Sequence, residues 1–108
     1  NIAEEKPFEK EYKILLARIQ SLLGVAKDLQ GTRRYSLEDM FMECRYLEKA
    51  LQNEGIETIY YDPKEPALNE HFDFVKDPDI NEIYMELPAF RKNGVVIKRG
   101  KVLIPQSQ

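Results

Sequence analysis

The chain has 108 residues and a formal net charge of −3; with 32% charged and 43% hydrophobic residues it has the balance of a folded domain rather than an unstructured chain. A pI near 5.2 disfavours a global role in binding nucleic acid or an acidic membrane. A single cysteine, Cys44, excludes an internal disulfide and a cysteine-based metal site, and no apolar run approaches the roughly 18 residues of a membrane span.

No signal peptide is visible, and a reducing, cytoplasmic compartment is the expectation. The abrupt start at Asn1 reads as that of a fragment. Residues 1–6 are polar and expected to fray. Pro7 suits the first turn of a helix, where its missing N–H is not needed. From Phe8 to about Gln30 the apolar residues Phe8, Tyr12, Leu15, Ile19, Leu22, Ala26 and Leu29 are spaced alternately by four and three. That alternation is a heptad seam, and Leu16 and Leu23 widen it to a face. A helix of this length runs roughly 35 Å, more than the rest of a small chain covers. The seam asks for another helix, most simply a second copy of itself; an ordinary amphipathic helix within one domain is the plainer alternative. Gly24 interrupts the helix and marks a close approach or a bend. Gly31 is expected to end it.

After a short basic connection with Arg33 and Arg34, Ser36 opens a second helix as its N-cap, with Asp39 three residues on, close to a capping box. Leu37, Met40, Phe41, Cys44, Leu47 and Leu51 fall at helical spacing, which makes Cys44 a buried, inert thiol. Gly55 stops the helix. A link this short makes the two helices antiparallel neighbours. Two broad apolar faces are covered better by two such pairs than by one. The expected assembly is a homodimeric four-helix bundle with Leu15, Ile19, Leu22, Leu29, Leu37, Phe41, Cys44, Leu47 and Leu51 at the interface.

Beyond Gly55 the periodicity changes. Ile56 to Tyr61 reads as a strand, Asp62-Pro63-Lys64-Glu65-Pro66 breaks it, and His71 to Val75 reads as a second. Ile83, Met85 and Leu87 alternate with Tyr84 and Glu86, a third strand with one buried face. Asn93-Gly94 between two β-prone runs is a hairpin signal, because both turn residues need positive φ. Arg99-Gly100 reads as a further turn before a last strand, Lys101 to Ile104. The expected fold class is α+β: a helical dimerisation region, 1–55, and a small all-β subdomain, 56–108.

Three stretches carry a family resemblance. Tyr46 to Ile59, YLEKALQNEGIETI, is similar to a helix ending in Gly-Val-Glu-Val-Ile. Pro66 to His71 looks like a shortened Pro-x-Asp-Pro-x-x-His segment. Phe90 to Lys98, continuing through Lys101 to Ile104, resembles a hairpin of the form aromatic-x-x-Asn-Gly-basic-x-apolar-Arg. In this order they resemble the GrpE family, the nucleotide exchange factors of DnaK-type chaperones, and the first helix is similar to the end of that family's long dimer helix. The resemblance implies a non-enzymatic homodimer that binds the nucleotide-binding domain of a DnaK-type chaperone and promotes ADP release, with no cofactor. It implies contact through Val95, Lys98 and Ile104, with Arg91 and Lys92 nearby. The chain departs from the pattern at Val95, where the family has a basic residue, at Lys98 in place of arginine, and at Asp39, where many members have glycine. The Pro-Gly turn before the central strands is absent, the loop from Asp77 to Glu82 is short, and the N-terminal part of the paired helix is missing.

No catalytic constellation stands beside this. His71 is the only histidine, and no recognised spacing links it to Glu70, Asp73 or Cys44. The carboxylates between Asp62 and Glu86 read as a solvated face. From Pro88 to the end there are five cations, Arg91, Lys92, Lys98, Arg99 and Lys101, and no acid. This basic patch has three readings: protection of an edge strand, a protein-partner surface, or a nucleic-acid contact.

Overall fold

The computed structural model of the chain describes residues 7–106, with side chains from Tyr12 onward. The N-terminal six residues and the Phe8 end of the heptad seam lie outside the described side chains. The architecture is α+β, two helices followed by two small sheets, and the chain divides into two compact units, 1–54 and 55–108.

The first unit is a helical hairpin, α1 (Pro7–Gln30) and α2 (Leu37–Asn53). Pro7, the first described residue, is helical. The end of α1 differs from the glycine stop expected at Gly31. The positive φ is taken by Arg33, at 58°, and the turn is held by Asp28. The Asp28 carbonyl accepts from the N–H groups of Gly31 and Arg33 at 3.0 and 2.7 Å. Its carboxylate accepts from the Thr32 hydroxyl at 3.1 Å and from the Tyr35 N–H at 2.7 Å. One aspartate thus satisfies four donors of the reversing chain. The α2 start is a complete capping box: the Asp39 N–H donates to Ser36 Oγ at 3.2 Å, and the Ser36 N–H donates to Asp39 Oδ2 at 2.7 Å. Gly55, at φ 78°, ends the run.

The helices pack antiparallel over Val25 and Ala50, both buried, and the Arg18 guanidinium lies 5.6 Å from the Tyr46 ring centroid. On α1, burial follows Leu15, Leu22, Val25 and Leu29 rather than the whole expected seam. Leu16, Ile19 and Leu23 remain exposed. On α2, Cys44, Leu47 and Leu51 are half-buried, whereas Leu37 and Phe41 are 63% and 58% exposed. Gly24 makes no close approach inside the chain, since nothing lies within 4 Å of where its Cβ would be.

The second unit holds β1 (Ile56–Ile59), a 3-10 helix (Pro66–His71), β2 (Phe72–Asp77), β3 (Tyr84–Leu87), β4 (Ala89–Lys92), β5 (Val95–Lys98) and β6 (Gly100–Pro105). They form two three-stranded sheets, ordered β1-β4-β5 and β2-β6-β3. The first sheet is antiparallel, with Ile56 opposite Lys92 and Lys92 opposite Val95. In the second, β2 runs parallel to β6, with Phe72 opposite Gly100, while β3 runs antiparallel to it. Asn93 and Gly94, at φ 52° and 77°, make the expected two-residue turn.

The core of this unit is Phe72, Ala89 and Val102, with Ile59, Tyr61, Leu68, Met85 and Ile104 packed around them. Tyr61 meets Phe72 and Phe74 edge to face at 5.7 and 5.8 Å. Three local expectations change here. His71, read as the start of the second strand, instead ends a 3-10 helix that begins at Pro66, whose ring presets φ at the first position of a tight turn. On β3 only Met85 turns inward; Leu87 is exposed beyond a register shift between Met85 and Leu87, and Ile83, also exposed, precedes the strand. Gly100 lies inside β6 rather than in a turn, in a space that admits no side chain.

Candidate functional site

The five C-terminal cations divide into two groups. Arg91 on β4 makes a bidentate pair with Glu57 on β1, Nε to Oε1 at 2.9 Å and Nη2 to Oε2 at 3.1 Å. That hydrogen bonding holds the Glu57 carboxyl below the usual carboxylate range and raises Arg91 further above its own. The third guanidinium nitrogen contacts His71 Nε2 at 3.2 Å. Arginine only donates, so Nε2 can only accept in this contact, and the other ring nitrogen, Nδ1, is buried with no hydrogen-bond partner among the described residues.

Arg99 pairs with Asp73 at 2.8 Å and donates to the carbonyls of Glu70 and Phe72, both at 2.8 Å, tying the start of β2 to that of β6. Lys101 reaches Glu86 at 3.1 Å. These three cations are neutralised within the β unit. Among the described residues, Lys92 and Lys98 have no such partner. They flank the exposed part of the β4–β5 hairpin, where Val95 and Ile97 are 63% and 53% exposed.

Of the residues expected at a partner surface, Lys92, Val95 and Lys98 therefore come together on one hairpin at the open edge of the first sheet. Arg91 is on the same hairpin, with its guanidinium turned to Glu57 and His71. Ile104 is elsewhere: it lies on β6 in the second sheet, opposite Lys76, half-buried against the core. Ile97 belongs to the exposed tip and was legible only as a β-prone residue after Asn93-Gly94.

Of the residues expected between helices, Leu15, Leu22, Leu29, Cys44, Leu47 and Leu51 are half-buried in the hairpin. Ile19, Leu37 and Phe41 are exposed, with Leu16 and Leu23 beside Ile19. By helical rotation the exposed stripe on α1 lies about 100° from the packed one, and so does the exposed stripe on α2. In antiparallel helices these two rotations carry both stripes to the same side of the hairpin.

Among the described residues, no group of three or more His, Cys, Asp or Glu side chains is arranged to hold a metal ion, and no helix is long and apolar enough to cross a membrane. Comparison of the chain with protein-family models, with curated proteins and with solved structures gives no match.

Proposed function

We propose that this chain is a GrpE-like co-chaperone that acts as a homodimer and promotes ADP release from a DnaK-type chaperone by binding its nucleotide-binding domain. The observation that carries the reading is the β4–β5 tip, two exposed β-branched residues between two lysines that have no ion-pair partner among the described residues. An edge strand guarded only against aggregation calls for charge, not for exposed valine and isoleucine. A tip of this composition suits a protein surface that offers both apolar contact and carboxylates. The apolar side of the helical hairpin supports the dimer. Leu16, Ile19 and Leu23 of α1 and Leu37 and Phe41 of α2 would meet their copies in a four-helix bundle.

The mechanism is differential binding. A factor opens a nucleotide cleft only by binding the open state more tightly than the closed one, and nucleotide and factor then weaken each other by the same coupling free energy. The β unit would press on the nucleotide-binding domain while the paired helices hold it in position.

The test is release of a fluorescent ADP analogue from the DnaK-type chaperone of the same organism. Acceleration should saturate with protein and fall about tenfold or more in Val95→Asp and Lys98→Glu, which alter exposed residues of one contact. No acceleration and no capture of the chaperone would refute the exchange role. The second reading, a dimeric scaffold for a different protein partner, draws on Arg91 and Ile104. Of the five residues expected at or near the contact, these two are engaged inside the β unit.

A further inference from the structure

The β unit separates its charges along the chain. Residues 77–90 hold four acids and no lysine or arginine, and residues 91–108 hold five cations and no acid. Internal contacts take up part of each set. The Asp77 carboxylate accepts from the Asp79 N–H, Glu86 holds Lys101, and Arg91 and Arg99 have their own carboxylates. Among the described residues, this leaves Asp79 and Glu82 on the acidic side and Lys92 and Lys98 on the basic side, all exposed and without an ion-pair partner. Each remainder borders an outer strand of four residues. β3 closes one side of the second sheet, with Ile83 before it and Tyr84 and Leu87 in it exposed; β5 closes one side of the first, with Val95 and Ile97 exposed.

We infer that the β5 edge of one copy docks on the β3 edge of a second copy of this chain. An outer strand leaves a row of N–H and C=O groups unpaired, and a second strand beside it supplies their partners. Charge selects which strand that is. A β5–β5 contact brings lysines toward lysines, and a β3–β3 contact brings Asp79 and Glu82 toward their copies, and like charges across strands repel. Only β5 against β3 brings the two signs together. Within one chain the two strands lie in different sheets and do not pair. In the antiparallel arrangement, the stabler kind, the hairpin end of β5 meets Leu87, an apolar match for Val95. Its other end carries Lys98 to Tyr84 and the loop that holds Asp79 and Glu82. Lys92 comes toward Glu86, whose ion pair with Lys101 uses only Oε1. The β5 register passes from Val96 to Lys98 and skips Ile97, a bulge that bends the strand and keeps the contact short. The contact also bears on the proposed partner surface: a second copy covers the same Val95 and Lys98, so another protein binding there must displace it.

The test follows amide resonances of the full chain from micromolar to millimolar concentration. Shifts should grow together at residues 82–87 and 92–98, with a dissociation constant of about 1 mM, and should fade as salt is raised. Lys98→Glu and Glu82→Lys should each weaken the contact about threefold or more. An equimolar mixture of the two variants should regain the wild-type affinity between unlike copies, because it sets opposite charges against each other again. Both residues are exposed, and near-ultraviolet circular dichroism checks that each variant keeps its β unit folded. Ile19→Asp combined with Leu23→Asp should leave both sets of shifts in place, which separates this contact from helix pairing. No chaperone is present in the measurement, so failure of the exchange role and failure of this contact are read separately. Absence of shifts at millimolar concentration, shifts at one edge alone, or a mixture that binds no better than its components would overturn the inference.

Discussion

Gly100→Ala tests the packing of the β unit most directly. A Cβ at this position would stand 2.5 Å from the Leu87 carbonyl oxygen and 2.6 Å from Cδ1 and Cε1 of Phe72. Ordinary contact begins near 3.4 Å, so three atoms must each yield by about 1 Å. The Leu87 oxygen is backbone on β3. The Phe72 ring is 2% exposed, and Ala89 and Val102 against it are fully buried, so it has no space to retreat into. Overpacking of this kind costs about 2–3 kcal/mol. A unit of this size has a total stability of about 3–8 kcal/mol, so a single methyl group should remove about a quarter or more of it. With a urea slope of about 1 kcal/mol per molar, the midpoint for the β unit should fall by about 2–3 M. Near-ultraviolet circular dichroism of the Tyr61 cluster reports on that unit. Gly94→Ala is the control: its Cβ would meet nothing within 4 Å, and only the positive φ of 77° penalises it, by about 1–2 kcal/mol. A midpoint for Gly100→Ala equal to wild type, or a larger loss for Gly94→Ala, would refute the close approach of β3, β2 and β6 at this glycine.

Asp28→Ala should destabilise the helical hairpin by about 1–2 kcal/mol, because two side-chain acceptors vanish from the reversing chain; helical dichroism against urea reads this, and an unchanged midpoint would remove Asp28 from its role. The Glu57–Arg91 pair makes a pH-dependent contribution. Glu57 titrates lower in the folded than in the unfolded chain, so the stabilisation is fully present above the ordinary carboxylate pKa and disappears as pH falls through the depressed folded value. Stability of Glu57→Gln should be less steep in that acid window than wild type, and parallel curves would count against the pair. Ile19→Asp combined with Leu23→Asp alters only the exposed stripe of α1, so it should give a folded monomer in sedimentation, whereas Leu22→Asp, on the packed stripe, should unfold the hairpin. A wild-type chain that sediments as a monomer at micromolar concentration would end the dimer proposal.

Local chemistry was readable without the fold. The Ser36–Asp39 capping box, the stop at Gly55 and the Asn93-Gly94 turn each need only a few consecutive residues, because caps and tight turns satisfy the backbone within one turn of chain. The order of two helices and then short strands follows from a change of hydrophobic period, which is equally local. The Asp28 staple was not readable, since an aspartate in the last turn of a helix gives no sign of which donors the reversing chain will bring to it. The same holds for Gly100, which resembles a turn glycine until β2 and β3 close around it. The parallel pairing of β2 with β6 is also invisible locally, because nothing in either strand names a partner distant in sequence.

The candidate surface divides in the same way. The sequence by itself determined that five cations and no acid end this chain, and that a hairpin would carry some of them. It also determined that α1 has more apolar face than one neighbour can cover. Only the tertiary structure decided which cations are left without internal partners. Glu57, thirty-four residues from Arg91, is brought opposite it by the β1–β4 register, and Asp73 and Glu86 reach Arg99 and Lys101 across β6. A charge is neutralised by whatever lies within a few ångströms, and those neighbours are set by strand pairing rather than by position along the chain. Lys92 and Lys98 stand without such partners because the strand pairing places no carboxylate beside them among the described residues.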